Sequence, residues 1–406
     1  MTRFGYLVPE FPGQTHAFFW RELKALMDLG QHPEPVSTRR PRQTGITPPW
    51  AQDGLPETKF LMPPSPKSVS GSAKSALPGL HHPALLAEAS GLRRQSNPKA
   101  MARDVLRTAG LFWAGAELAH HAHTRGWSHI HVHSCADSAQ VALFAHLLTG
   151  IPYSLTLHGP LSDYGPNQQQ KWRNAKFSIV ITEKLLRETR KQLDGFMPVN
   201  VEVAPMGVEL AAFSRAAPYI PWQGTGPARI FSCGRLNPSK GHIELLSALR
   251  SVVDTGVEAV LTIAGEDDHG GKGYRAAVER AVTERGLTPR VTLLGAVPES
   301  RIKAELENAH LFALASHEEP LGVAIMEAMA MQVPIVATSA GGVPDLVASG
   351  HTGTLVEPGN SNQLTAAILN TLHSPSQATA MGQRARLRLE ESYDVRASAR
   401  ALAALI

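Results

Sequence analysis

The chain opens on a short apolar run, Arg3-Phe-Gly-Tyr-Leu-Val8, that reads as a buried strand over 4–9. A segment of helical period over 15–29 follows, ended by Gly30. From residue 228 onward the alternation becomes regular. Apolar runs at 228–233, 259–264, 290–294, 310–315 and 334–338 read as strands, and 242–253, 274–285, 301–308 and 323–331 carry apolar residues at helical spacing. Strands alternating with helices predict a parallel sheet covered on both faces.

The N-terminal half repeats this theme with weaker contrast. It has a helix over 102–125, strands at 129–133, 153–157, 177–182 and 200–204, and a Pro-, Ser- and Gly-rich stretch from about 38 to 100 that offers no assignable period. Residues 216–227 hold three prolines and two glycines and read as a link between domains. The expected organisation is a Rossmann-like domain over 1–212, a linker over 213–227 and a second α/β domain over 228–390, with a C-terminal helix over 391–406 packing back on the first domain. Two doubly wound α/β domains joined in this way are expected to face each other across a cleft, with ligands at the carboxyl ends of the strands.

At 406 residues the chain exceeds what one hydrophobic core comfortably serves, which agrees with two domains. Its 43% apolar and 18% charged content is that of a soluble globular protein. No leading apolar segment resembles a signal peptide, and no run reaches the eighteen or so residues of a membrane span. The two cysteines, Cys135 and Cys233, fall in different expected domains, which argues against a structural disulfide. These features read as a cytosolic chain. The net charge of +4 includes the clusters Arg39-Arg40-Pro-Arg42 and Arg93-Arg94, so peripheral contact with anionic lipid at the inner face of a membrane is an open alternative to solvated loops. Nucleic acid is not expected, because no recognised binding pattern occurs and aromatics are scarce among the basic residues.

The chemistry concentrates in three glycine turns after strands. Gly234-Arg235-Leu-Asn-Pro238-Ser-Lys240-Gly241 follows the 228–233 strand and opens a helix, a geometry that presents backbone N–H groups to an anion. Arg235 and Lys240 add two cations there, which suits a diphosphate whose charge grows as it departs. The alternative is an ordinary turn with incidental surface cations. Glu319 and Glu327, in Glu319-Pro-Leu-Gly-Val-Ala-Ile-Met-Glu327, flank a loop that turns into a helix. Pro320 is expected in the first helical turn, Glu319 just ahead of it, and Glu327 about two turns inside. A helix start accepts phosphate, and acids on either side can accept hydrogen bonds from sugar hydroxyls. The third turn is Gly341-Gly342-Val-Pro344-Asp345. Gly265 to Gly273 superficially resembles a P-loop, but its Lys272 is one position late and lacks a following Ser or Thr. No Gly-x-Gly-x-x-Gly occurs. In the N-terminal half, His158 ends a strand in Leu155-Thr-Leu-His158-Gly-Pro160, His131 and His133 end another, and His16 follows Pro12-Gly13. No Cys/His spacing suits a zinc site, so no metal is expected.

Taken together, the stretch 234–358 resembles the retaining family-4 glycosyltransferases of GT-B fold. It does so through Gly-Arg-x-x-x-x-Lys-Gly at 234–241, Ile263-Ala-Gly265-Glu, Leu294-Gly-Ala-Val297, the two acids at 319 and 327, Pro334-Ile-Val-Ala-Thr338, and Gly341-Gly-Val-Pro-Asp345. The N-terminal half is similar to exopolysaccharide-type members in Pro12-x-x-Thr-His16-x-Phe18 with Arg21-Glu22, His131-x-His133, and Pro152-Tyr-Ser with His158-Gly-Pro160. The resemblance implies that Arg235 and Lys240 hold the diphosphate beside Gly234, Glu327 the ribose and Glu319 the donor hexose. It also implies that backbone N–H groups of Leu321, Gly322 and Val323 serve the phosphate and sugar, and backbone near Val297 the base. His158, with Gly13 and His16, would face the transferred sugar and acceptor. The family uses no metal cofactor; the implied donor is a nucleoside diphosphate sugar, UDP-linked first, and the acceptor a carbohydrate, lipid-linked or small-molecule hydroxyl. Gln332 stands where the family usually has glycine, so a residue with a side chain is expected to take a left-handed turn. A sugar-nucleotide epimerase of the same fold and a catalytically silent sugar-nucleotide-binding protein are the alternatives.

Overall fold

The computed structural model describes residues 2–11, 17–41, 58–62, 90–91, 97–267 and 273–406. The chain divides into two compact units. One takes the described residues up to 205 together with 398–406, and the other takes those of 206–397.

In the first unit, β1 (Arg3–Glu10), β2 (His32–Arg39), β3 (Lys59–Met62), β4 (His129–His133), β5 (Tyr153–Leu157), β6 (Phe177–Val180) and β7 (Asn200–Val203) form a sheet of order β3-β2-β1-β4-β5-β6-β7. Every pairing in it is parallel. The helices are α1 (Ala17–Asp28), α2 (Pro98–Arg125), α3 (Asp137–Thr149), α4 (Gln168–Arg173) and α5 (Glu183–Gln192). β4 and β5 are buried along their whole length, as strands covered on both faces must be. α2 starts on Asn97, whose side chain accepts from the N–H groups of Lys99 and Ala100, and ends on left-handed Gly126.

The second unit repeats the plan. Its strands are β8 (Ala228–Cys233), β9 (Ala259–Ala264), β10 (Val291–Gly295), β11 (Leu311–Leu314), β12 (Ile335–Thr338) and β13 (Thr354–Val356), in the order β10-β9-β8-β11-β12-β13, all parallel. Its helices are α6 (His242–Asp254), α7 (Tyr274–Glu284), α8 (Glu299–Asn308), α9 (Val323–Ala330), α10 (Val343–Leu346), α11 (Ser361–Leu372) and α12 (Pro375–Ser392), and α13 (Val395–Leu405) closes the chain. Renumbered from one within the unit, that order is 3-2-1-4-5-6, the doubly wound arrangement whose switch point lies between the first and fourth strands. The switch points are therefore at β1/β4 and β8/β11. Loops leaving the carboxyl ends of those four strands are where chemistry is to be sought.

Residues 213–227 belong to the second unit and are held against it. Tyr219 and Trp222 are buried, and the Tyr219 hydroxyl donates to His310 O at 2.6 Å. Arg215 donates to the carbonyls of Leu306, Glu307 and Met331. Proline and glycine reported a lack of regular structure here, and the three large side chains supply the attachment. Gly207 brings its backbone against the 394–395 peptide, where Val208 N donates to Tyr393 O and Val395 N to Val208 O.

Candidate functional site

The loops that leave β8 and β11 meet at the second unit's switch point. Gly234 follows β8 directly, its N–H donating to Ala264 O at 3.0 Å, and a tight turn at Pro238–Lys240 leads into α6. The Lys240 stem lies over Gly234: a Cβ added there would stand 3.7 Å from Lys240 Cδ. Gly241 takes φ 61°, and a Cβ on it would come within 1.9 Å of Ala315 O, so glycine lets the first loop close on the second. Two further bonds join the loops, from His317 N to Ser239 O at 2.7 Å and from His317 Nε2 to Glu244 at 3.2 Å.

This closure brings Lys240 Nζ to 2.5 Å from Glu319 Oε2, with the two side chains 15% and 10% exposed. Glu319 is fixed from three more sides. Ser316 Oγ donates to the same carboxylate oxygen, Gly342 N donates to Glu319 O at 2.9 Å, and Gly341 approaches so closely that a Cβ would lie 2.1 Å from Glu319 O. Thr338 Oγ1, at the end of β12, donates to Ser316 O and steadies the loop. The third glycine turn thus positions the acid of the second.

Pro320 lies outside the helix, contrary to expectation. α9 begins at Val323 behind Gly322, whose φ is 98°. Glu327 is consequently little more than one turn inside it, and half-buried. Leu321 is buried. Gln332 does take a left-handed conformation at φ 55°, as expected from the missing glycine. Arg386 donates to Ala330 O and Arg215 to Met331 O, so two guanidinium groups serve the carbonyl end of the helix that carries Glu327.

Cys233 reports how near these charges are. Burial, and Glu327 after it, raise its thiol to about 12 against the opposing effect of Lys240. It is not a nucleophile at neutral pH. Arg235 is exposed and makes no ion pair among the described residues. Val297, in the loop after β10, is half-buried beyond Gly295, whose carbonyl accepts from Gly265 N at 2.8 Å. The structure thus brings together Gly234, Lys240, Glu319 and the start of α9, places Glu327 near Cys233, and leaves Arg235 in solvent.

At the first unit's switch point, His158 follows β5 and its Nε2 lies 3.0 Å from His133 Nδ1. His133 Nε2 lies 3.0 Å from Glu22 Oε2. Glu22, on α1, also accepts from Tyr6 Oη at 2.8 Å and from Ser398 Oγ on α13. Burial pushes this carboxyl up, but His133, Ser398 and Tyr6 together outweigh it and hold it at about 2. Gly13 and His16 lie outside the described residues. Glu22 as a buried acid was missed from the sequence. Its signal was available, since it stands three residues after Phe19 and four before Leu26 on the apolar face of α1.

Residues 223–388 match the family described as "Glycosyl transferases group 1". The match lies wholly within the second unit. Over 417 aligned residues it is 24% identical to WcaL of Salmonella typhimurium, a protein named for glycosyl transfer in colanic acid biosynthesis, covering 99% of this chain and 98% of that one. It is 33% identical to glycogen synthase of Mycobacterium tuberculosis over 218 residues, 53% of this chain but only 50% of that one, so the match spans half the enzyme's length. Among solved structures, Anabaena Alr3699/HepE in complex with UDP-glucose is similar with a TM-score of 0.73 at 17% identity, covering 100% of this chain and 99% of that one. The two parallel sheets with flanking helices are thus the α/β fold of GT-B glycosyltransferases.

Proposed function

We propose that this chain is a retaining glycosyltransferase moving a hexose from a nucleoside diphosphate sugar, a UDP-sugar first among them, to an acceptor hydroxyl in polysaccharide or glycoconjugate synthesis. The observation that carries the reading is the Lys240–Glu319 pair beside the start of α9 at the β8/β11 switch point. A cation, a helix N-terminus and two carboxylates within one loop system suit a charged diphosphate flanked by hydroxyl-bearing sugars. The group 1 match and a similar fold solved with UDP-glucose support it.

In this reading Lys240 and Arg235 neutralise the diphosphate, aided by backbone N–H groups of Leu321, Gly322 and Val323. Glu327 accepts from the ribose hydroxyls and Glu319 from the hexose. Gly234 lets the diphosphate approach the backbone, and the loop at Val297 receives the base. The reaction is front-face: as the anomeric C–O bond breaks, the departing diphosphate takes the acceptor's proton and the new C–O bond forms on the same side. No enzymic nucleophile and no metal ion are required. His158 meets a hydroxyl of the transferred sugar or of the acceptor, a role the resemblance extends to Gly13 and His16. The test is transfer from UDP-, GDP- and ADP-hexoses to a panel of glycan and lipid-linked acceptors with chelator present, with the product anomer read by NMR. Retained configuration supports the proposal, and an inverted product refutes it.

A further inference from the structure

Each backbone carbonyl from Glu327 to Met331, at the end of α9, has an identified partner. Glu327 O accepts from Met331 N, Ala328 O from Val333 N and Met329 O from Gln332 N, the closing pattern of a helix that ends on a left-handed residue. The last two go to cations. Ala330 O accepts from Arg386 Nη1 at 3.0 Å, and Met331 O from Arg215 Nη1 at 3.2 Å.

α9 needs this support. It has eight residues, too few to hold a helix by themselves, and behind Gly322 it starts with no side-chain cap. Glu327 stands in its last turn, so the position of its carboxylate follows the position of that end. α12 rests on the same end. A Cβ on Gly382 would lie 2.2 Å from Gln332 O, and Arg386, one turn further along α12, reaches Ala330 from there. Arg386 Nε is held by Glu390 at 2.7 Å, and its Nη1 also donates to Phe213 O at 2.9 Å. Two residues on, Arg388 leaves α12 from another side and meets α10. Its Nε donates to Leu346 O and its Nη2 to Asp345 O, both at 2.7 Å, and Tyr393 Oη donates to Asp345 O at 2.7 Å. The opposite end of α10 is the Gly341–Gly342 turn, where Gly342 N donates to Glu319 O.

We infer that Arg386 and Arg388 are positioning residues for the two acids, Arg386 acting on Glu327 through the end of α9 and Arg388 on Glu319 through α10. The inference rests on the proposed roles of those acids, Glu327 accepting from the ribose hydroxyls and Glu319 from the hexose. One helix outside the substrate loops then sets both acids, and neither arginine needs to touch the donor. A guanidinium suits this, because its donors fork toward several carbonyls and it keeps its proton. A packing role would lower stability alone. A positioning role makes each arginine answer to one part of the donor.

The test is calorimetric titration of the full chain with UDP, 2′,3′-dideoxy-UDP, UDP-glucose and UDP-galactose, or with the GDP or ADP set if that base binds instead. The preference for UDP over its dideoxy form reports Glu327, and the ratio of UDP-hexose to UDP affinity reports Glu319. Arg386→Met should cut the first at least about threefold, the scale of a cation at a helix C-terminus, and leave the second. Arg388→Met should do the reverse. Arg386→Lys, which keeps a cationic donor, should recover most of the first ratio, and Arg386→Gln replaces the methionine variant if that does not fold. Tyr219→Phe, which removes a buried bond elsewhere in the unit, should lower the melting temperature and move neither ratio. Ratios that move together, or that stay level in folded arginine variants while Glu327→Ala and Glu319→Gln shift them, overturn the inference alone. Ratios indifferent to the two acids as well would refute the placing of Glu327 and Glu319, and the inference with it.

Discussion

Removing the charge of Lys240 should be felt throughout the second unit's switch point. Lys240→Met keeps the stem that covers Gly234 but leaves the Glu319 carboxylate, 10% exposed, with only Ser316 Oγ and no cation. Two unit charges about 4 Å apart attract by about 4 kcal/mol at an effective dielectric near 20. Breaking a buried pair from one side typically costs about 3–5 kcal/mol. The remaining exposure and the serine bond put this site at the lower end, about 3 kcal/mol, or a loss of about 6–12 °C in the transition of a unit this size. Glu319→Gln should cost less, because Lys240 can turn toward water. The double variant should recover about 2 kcal/mol relative to the sum of the two changes. Calorimetry of the full chain, resolving the transitions of the two units, measures all four corners of this cycle. A coupling below about 0.5 kcal/mol, the level of independent sites, would mean that the pair is not formed in solution, and the site built on it would fall.

Gly341→Ala forces a Cβ against Glu319 O at positive φ, so it should lower stability by about 2 kcal/mol or more and weaken sugar-nucleotide binding by displacing Glu319, both readable by thermal shift with and without ligand. Gln332→Gly should act oppositely, stabilising by about 0.5–1 kcal/mol because φ 55° suits glycine, with donor affinity unchanged in the same assay. Acid should weaken the fold early. His129, His131 and His242 are buried, with His129 lowered to about 3, His131 well below 6.5 and His242 to about 4. Between 6.5 and those values the unfolded chain binds protons that the native one does not. Stability is therefore full above 6.5 and falls with pH by about 1.4 kcal/mol per unit for each group. Glu22, held at about 2, contributes stability that is present above 4.5 and lost as pH falls toward 2. A melting temperature that stays level from pH 7.5 to 5 would contradict this.

The parts of the molecule legible in the sequence were those whose environment leaves a period. The strands of the second unit are short apolar runs between amphipathic helices, and β8 and β9 coincide with their expected ranges. α3 was missed because it is enclosed on nearly all sides: its run from Ser138 to Ala145 is wholly buried, so no polar face marks a helical turn. β2 was hidden by Pro33 and Pro35, which lower strand propensity although parallel pairing on both sides overrides it here. α11 and α12 were also not assigned. At the site, the glycine turns and the two acids could be read locally. The ion pair, the support of Glu319 by Gly341 and Gly342, and the Glu22–His133–His158 line could not, because each joins residues from separate strand ends that only the sheet order brings together.

The central claim is a nucleoside diphosphate sugar site on the β8/β11 loops, and direct donor binding tests it. Calorimetric titration of UDP-, GDP- and ADP-sugars into the wild type, Lys240→Ala and Glu327→Ala, with chelator present, is the decisive measurement. The account predicts that one nucleotide binds the wild type without added metal and binds each variant at least about tenfold more weakly, a loss of about 1.4 kcal/mol. Binding of none of them, or binding indifferent to both substitutions, would contradict it.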